Sequence, residues 1–129
     1  MTRATVTQKD GFLSEVDFDS GHSVVFDASV KSGGGGEELT PSEAVSAGLA
    51  SCTLMTMQLY AARKSWDLAG IEVEVNTTYE NGNPSNFKVS IDFPDHLDAE
   101  QREKLLVIAG KCPVHRLLMN PVPVETVAT

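Results

Sequence analysis

TPSEAVSAGLASCTLMTMQLYAARK, residues 40–64, is the stretch that decides the fold. Thr40-Pro41-Ser42-Glu43 has the form of a capping box. The Thr40 hydroxyl caps, Pro41 takes the first helical position, and Glu43 reaches back from the third. From there Val45, Gly48, Leu49, Cys52, Met55, Leu59 and Ala62 recur at helical spacing over about six turns. The opposite side, with Ala44, Ala47, Ala50, Ser51, Leu54 and Met57, is also short of charge. A helix apolar nearly all round requires cover on most of its sides. The small residues between Ala44 and Ser51 would admit a second backbone at close range. Charge returns at Arg63-Lys64, which suits the negative end of a helix dipole.

Before this helix the chain alternates in short runs, 4–7, 12–16 and 23–27, separated by Asp10-Gly11 and Ser20-Gly21-His22. That pattern predicts an antiparallel meander. Ser32-Gly33-Gly34-Gly35-Gly36 lacks the spacing and ending of a phosphate-binding loop and is expected to be a mobile connection. After the helix, 71–75 and 87–93 alternate around Asn81-Gly82-Asn83-Pro84, which predicts a hairpin. Asp98-Ala99-Glu100-Gln101 opens a further helix that Gly110 ends, and Cys112-Pro113 starts a short one through His115 to Met119. Pro121 to Val127 is expected as an edge strand, because each proline removes a ladder donor. The order is βββ-α-ββ-α-α-β: an α+β fold with antiparallel sheet and a long buried central helix, in a single domain over 1–129.

Composition narrows the function classes. The 10 basic and 18 acidic residues give a net charge of −8, which repels phosphate backbones and anionic lipid, so no nucleic acid and no membrane partner is expected. Residues 1–10 lack the apolar run and cleavage site of a secretory signal. No stretch approaches the ~18 apolar residues of a membrane span. A cytoplasmic protein is expected, and in a reducing compartment two cysteines are more often free or catalytic than structural. His22, His96 and His115 are scattered, and Cys112-x-x-His115 offers only one candidate pair, so no metal site is expected.

Cys52 admits two readings: a nucleophile, or a buried core cysteine acting as a small hydrophobe. Cys112 precedes Pro113 and so occupies the N-cap of a new helix. There backbone N–H groups and the dipole favour a thiolate, with Lys111, His115 and Arg116 nearby; the plainer alternative is a cysteine chosen as a small cap. Two such thiols suffice for peroxide chemistry, one becoming a sulfenic acid and the other condensing with it to a disulfide. Glu43 is explained by its capping box alone, but a second role is open. It lies nine positions before Cys52 on one helix, half a turn round and a rise of roughly 13.5 Å away. If both serve one site, the glutamate must come from a second chain.

Three segments, 39–53, 62–75 and 105–115, together resemble the OsmC/Ohr family of thiol peroxidases. The Pro-x-Glu before a helical Cys, and the later Cys112-Pro113-Val114-His115, form the signature, and the wording is most similar to the compact YhfA-like branch. The resemblance implies an OsmC-like fold and an intertwined homodimer with its central helices between two sheets. It implies Cys52 as the peroxidatic cysteine, Cys112 as the resolving one, and Glu43 reaching the site from the other subunit. The family's peroxidase branches carry an arginine shortly before this helix, whereas residues 30–36 here offer Lys31 and no arginine.

The expected function is thiol-dependent reduction of organic hydroperoxides at a dimer interface, with a site lined by Leu49, Met55 and Leu59. No bound cofactor is expected; an external dithiol, of lipoyl type by the resemblance, would recycle the disulfide. The alternative is a non-catalytic module of the same fold that binds a small apolar ligand or senses oxidation.

Overall fold

The computed structural model describes all 129 residues. Two compact units divide the chain, Met1–Val45 and Ser46–Thr129. In the first, β1 (Ala4–Asp10), β2 (Leu13–Phe18) and β3 (Ser23–Phe26) form an antiparallel sheet in the order β1-β2-β3. Gly11, at φ 56°, and Gly21, at φ 90°, occupy the turns, where left-handed backbone is cheap only for glycine.

The glycine tract is not the mobile connection its composition implied. Val30–Ser32 forms a 3-10 turn closed by Gly33 at φ 98°. Asp27, buried on β3's exit, accepts from Ala28 N–H at 2.7 Å and Gly35 N–H at 3.0 Å. A Cβ on Gly34 would meet the Ala28 carbonyl oxygen at 2.0 Å. The glycines are there so that the loop can close on one buried carboxylate, and that carboxylate gives the loop its form.

Helix α1 (Pro41–Lys64) begins at the predicted box. Thr40 N–H donates to Glu43 Oε1 at 3.0 Å, and Glu43 N–H donates to Thr40 Oγ1 at 3.2 Å. In the second unit α1 buries the four-residue repeat Leu49, Thr53, Met57 and Ala61. Of the stripe read from sequence, Leu49 is buried, whereas Met55 and Leu59 are 60% and 66% exposed. A helix apolar all round gives no moment to choose a face, so packing chose it. One chain covers one stripe of α1 only; the expectation of cover on most sides is not met within a single copy.

Strands β4 (Glu72–Glu80) and β5 (Asn83–Asp92) form the predicted hairpin. Asn81 at φ 52° and Gly82 at φ 79° make its two-residue loop, so Asn83 and Pro84 belong to the strand rather than the loop. Val73 and Ile91 pack on a core of Met57, Ala61, Leu68, Leu97, Leu105 and Ala109. α2 (Ala99–Ala109) starts at the reciprocal Asp98–Gln101 box and α3 (Pro113–Met119) starts at Cys112. Residues 120–129 carry no strand, contrary to expectation. Pro121 and Pro123 both remove donors from the same edge of any strand they would form, and no element of the chain pairs with the other edge.

The result is an α+β chain with two separate antiparallel sheets and three α-helices. No helix is long and apolar enough to cross a membrane.

Candidate active site

Cys112 is the N-cap of α3, in extended backbone before Pro113 at the first helical position. Its sulfur accepts the N–H of His115 at 3.2 Å, a sulfur counterpart of the serine or threonine cap. Thr53, buried on α1, bonds through Oγ1 to the Leu49 carbonyl at 2.7 Å, and the same hydroxyl lies 4.0 Å from the Cys112 sulfur. Cys112 itself is wholly buried.

Burial pushes the Cys112 thiol above its ordinary range, and the adjoining Cys52 thiol adds to the shift. The His115 N–H and the Thr53 hydroxyl oppose it without reversing it. The helix start was expected to favour a thiolate here. One N–H bond does not offset complete removal of the sulfur from water, so the N-cap thiol stays protonated.

Cys52 lies on α1 next to Thr53 and is half-buried. Both cysteines are free, and they adjoin closely enough for Cys52 to raise the Cys112 thiol's pKa. The cysteines are 60 positions apart in sequence, and the packing of α3 on α1 brings them together. The pair combines a half-buried cysteine with a fully buried one that keeps its proton.

Glu43 is exposed at the first turn of α1. Its carboxyl is held below the usual glutamate value by the Thr40 backbone N–H, with the Thr40 hydroxyl adding to this. α1 runs unbroken from Glu43 through Cys52, so their nine-position separation keeps its rise of roughly 13.5 Å. Lys31 sits in the exposed 3-10 turn, and Arg63 and Arg116 are exposed at the end of α1 and on α3.

A cleft of about 360 Å³ opens between α1, β5 and α3; neither cysteine lines it, although Leu49 and His115, each three residues from one of them, do. Leu49 contributes from α1, Phe87 and Val89 from β5, and His115, Leu118 and Met119 from α3. Met55 and Leu59, expected to line the site, do not reach this cleft. Sequence reasoning missed Thr53 and the β5 wall, and it weighed His115 only as a helper of Cys112 or a metal ligand. Thr53 had a local signal, since it follows Cys52 directly. Phe87 and Val89 had none, because hairpin residues meet a helix cleft only through tertiary packing.

A long helix bearing a half-exposed thiol against a second thiol at a helix start defines an α+β two-cysteine protein. The chain belongs to the OsmC-like family: a family model described as OsmC-like protein matches residues 34–127. Among solved structures, one is described as an osmotic stress induced and detoxification response protein from Psychrobacter arcticus. It is 27% identical at a TM-score of 0.83, covering 94% of this chain and 90% of that one. An OsmC-like protein from Mycoplasma pneumoniae superposes at 0.79 with 16% identity, covering 94% and 89%. The organic hydroperoxide resistance protein OhrB of Bacillus subtilis superposes at 0.58 with 23% identity, covering 95% of each chain. No curated protein sequence matches the chain.

Proposed function

We propose that this protein reduces organic hydroperoxides by a thiol mechanism, as one OsmC-like domain over residues 1–129. The observation that carries the reading is the contrast between half-exposed Cys52 and buried, protonated Cys112 beside it. Cys52, as thiolate, attacks the outer oxygen of ROOH; an S–O bond forms, the O–O bond breaks, and RO⁻ leaves with the electron pair. The Cys112 sulfur then attacks the Cys52 sulfenic acid, forming the S–S bond and releasing water once its own proton is transferred. An external dithiol, of lipoyl type, takes the disulfide back to two thiols and becomes a disulfide itself.

The neighbouring cleft, with Leu49, Phe87, Val89, Leu118 and Met119 beside the polar Ser85, Asn86 and His115, supports an apolar R group over hydrogen peroxide. The exposed apolar face of α1 supports a homodimer in which a second copy covers Met55 and Leu59. In that dimer Glu43 of the second copy acts as the orienting carboxylate. The compact YhfA-like branch and a cytoplasmic location rest on sequence wording and composition.

The test is thiol counting on reduced protein after one equivalent of cumene hydroperoxide, with hydrogen peroxide in parallel. Loss of two thiols within seconds, with an intramolecular Cys52–Cys112 disulfide by mass, is the expected result. Thiols that persist for many minutes reject it. A second reading, ligand binding or redox sensing without turnover, is favoured by the absence of arginine from residues 30–36. It predicts thermal stabilisation by a small apolar ligand without peroxide consumption.

A further inference from the structure

We propose that Thr53 is a positioning residue for disulfide formation: its hydroxyl turns from the Leu49 carbonyl to the Cys112 sulfur as that sulfur gives up its proton. This deepens the thiol reading above and rests on the Cys52–Cys112 pairing within it.

The resolving step needs a charge in a place that disfavours one. In Cys52-SOH + Cys112-SH → Cys52-S–S-Cys112 + H₂O, the S–S bond forms, the S–O bond breaks, and the Cys112 proton ends on the departing hydroxide. The attacking species is the thiolate, and Cys112 is wholly buried, so bulk water does not stabilise it. Burial and the adjoining Cys52 thiol oppose the charge, whereas the His115 N–H and the Thr53 hydroxyl favour it. The first of these is backbone, fixed by the start of α3. Thr53 is the side chain that can respond.

Three observations single out its hydroxyl. Thr53 is 1% exposed, so bulk water does not compete for it. Its Oγ1 lies 2.7 Å from the Leu49 carbonyl oxygen and 4.0 Å from the Cys112 sulfur, and a hydroxyl has one hydrogen to give. While Cys112 keeps its proton, the shorter contact holds that hydrogen. A charged sulfur is the stronger acceptor, and rotation about the Cβ–Oγ1 bond redirects the hydrogen without moving the helix. Leu49 loses little by this, since its carbonyl already accepts the Thr53 backbone N–H within α1. Finally, Thr53 is the one polar member of the buried stripe Leu49, Thr53, Met57 and Ala61. Valine would have the same shape there, so packing alone does not call for a hydroxyl.

The experiment treats reduced full-length protein with an aromatic disulfide, dithionitrobenzoate, which reports the same attack without peroxide. Cys52 attacks it and releases one thionitrobenzoate anion; the Cys112 thiolate then attacks the Cys52 sulfur and releases the second. Thr53→Val and Thr53→Ala lack the hydroxyl, whereas Thr53→Ser keeps it. Wild type against Thr53→Val, and Thr53→Ser against Thr53→Ala, each isolate the one oxygen. A hydrogen bond to a charged group is worth about 10- to 100-fold in thiolate population. The more basic thiolate regains about half of that logarithm in nucleophilicity. Loss of the hydroxyl should therefore slow the second release about 3- to 10-fold in each pair, with the first release unchanged within about twofold. A first release at the wild-type rate also shows that a variant is folded. Should Thr53→Val alter the first release, the Thr53→Ser and Thr53→Ala pair decides. Equal second releases in that pair, or a first release slowed as much as the second, overturn the role. Wild-type protein that releases no second equivalent overturns it too, since Cys112 then does not attack Cys52. A hydroxyl-dependent second release in protein whose thiols survive cumene hydroperoxide overturns the hydroperoxide reading and leaves this inference standing.

Discussion

The N–H of His115 donates to the sulfur of Cys112 at 3.2 Å, so the cysteine proposed to resolve the sulfenic acid is also the cap of α3. Redox state and local helix structure are therefore joined at one atom. Oxidising Cys112 into a disulfide changes the acceptor of that bond, and reduction restores it.

That double role separates the cysteines by substitution. Cys52→Ser should abolish peroxide-driven thiol loss and leave the melting temperature nearly unchanged, since the residue is only half-buried. Cys112→Ala should permit one oxidation of Cys52 followed by over-oxidation to the sulfinic acid. It should also cost about 1 kcal/mol of stability from the lost cap, read by urea denaturation. A Cys112 variant that cycles normally with dithiol would refute its resolving role.

The raised Cys112 pKa has a signed consequence for pH. Its folded value lies above the ordinary 9.0, so its contribution to stability is complete below that pH. The contribution is lost as pH rises through the folded value. Reduced wild-type protein should lose stability on the alkaline side, and Cys112→Ser should remove that component of the slope. In the same window iodoacetamide should alkylate Cys52 well before Cys112, as peptide mass mapping would show.

Glu43 has the opposite sign. The Thr40 N–H holds its carboxyl below the ordinary 4.5, so its stabilisation exists above that pH and fades as pH falls through the folded value. The melting difference between wild type and Glu43→Ala should shrink between about pH 5 and 3. Because the group is exposed, salt should weaken the effect as well.

Met57 and Leu59, two positions apart on α1, should respond in opposite ways. Met57 is fully buried in the core, and Met57→Ala should cost about 2–5 kcal/mol. Leu59 is 66% exposed in one copy. If a second copy covers it, Leu59→Glu should shift the protein to monomer in sedimentation with its helical circular dichroism retained. An unchanged sedimentation coefficient would place the dimer contact elsewhere.

Much of this protein was determined locally. The boxes at Thr40–Glu43 and Asp98–Gln101, the Asn81-Gly82 turn and the N-cap at Cys112 each rest on hydrogen bonds spanning three or four residues. Short-range rules therefore read them correctly, and the motif wording around Cys52 and Cys112 already pointed to the family that residues 34–127 match. What only the tertiary structure decided depends on distant partners. Packing against β4, β5 and α2 selected the Leu49–Thr53–Met57–Ala61 face of an evenly apolar helix. Asp27 turned a glycine run into a defined loop. Burial, which no local pattern encodes, outweighed the helix start at Cys112 and kept its thiol protonated. The cleft likewise joins Leu49 to Phe87 and His115, which are brought together by chain folding rather than by sequence spacing.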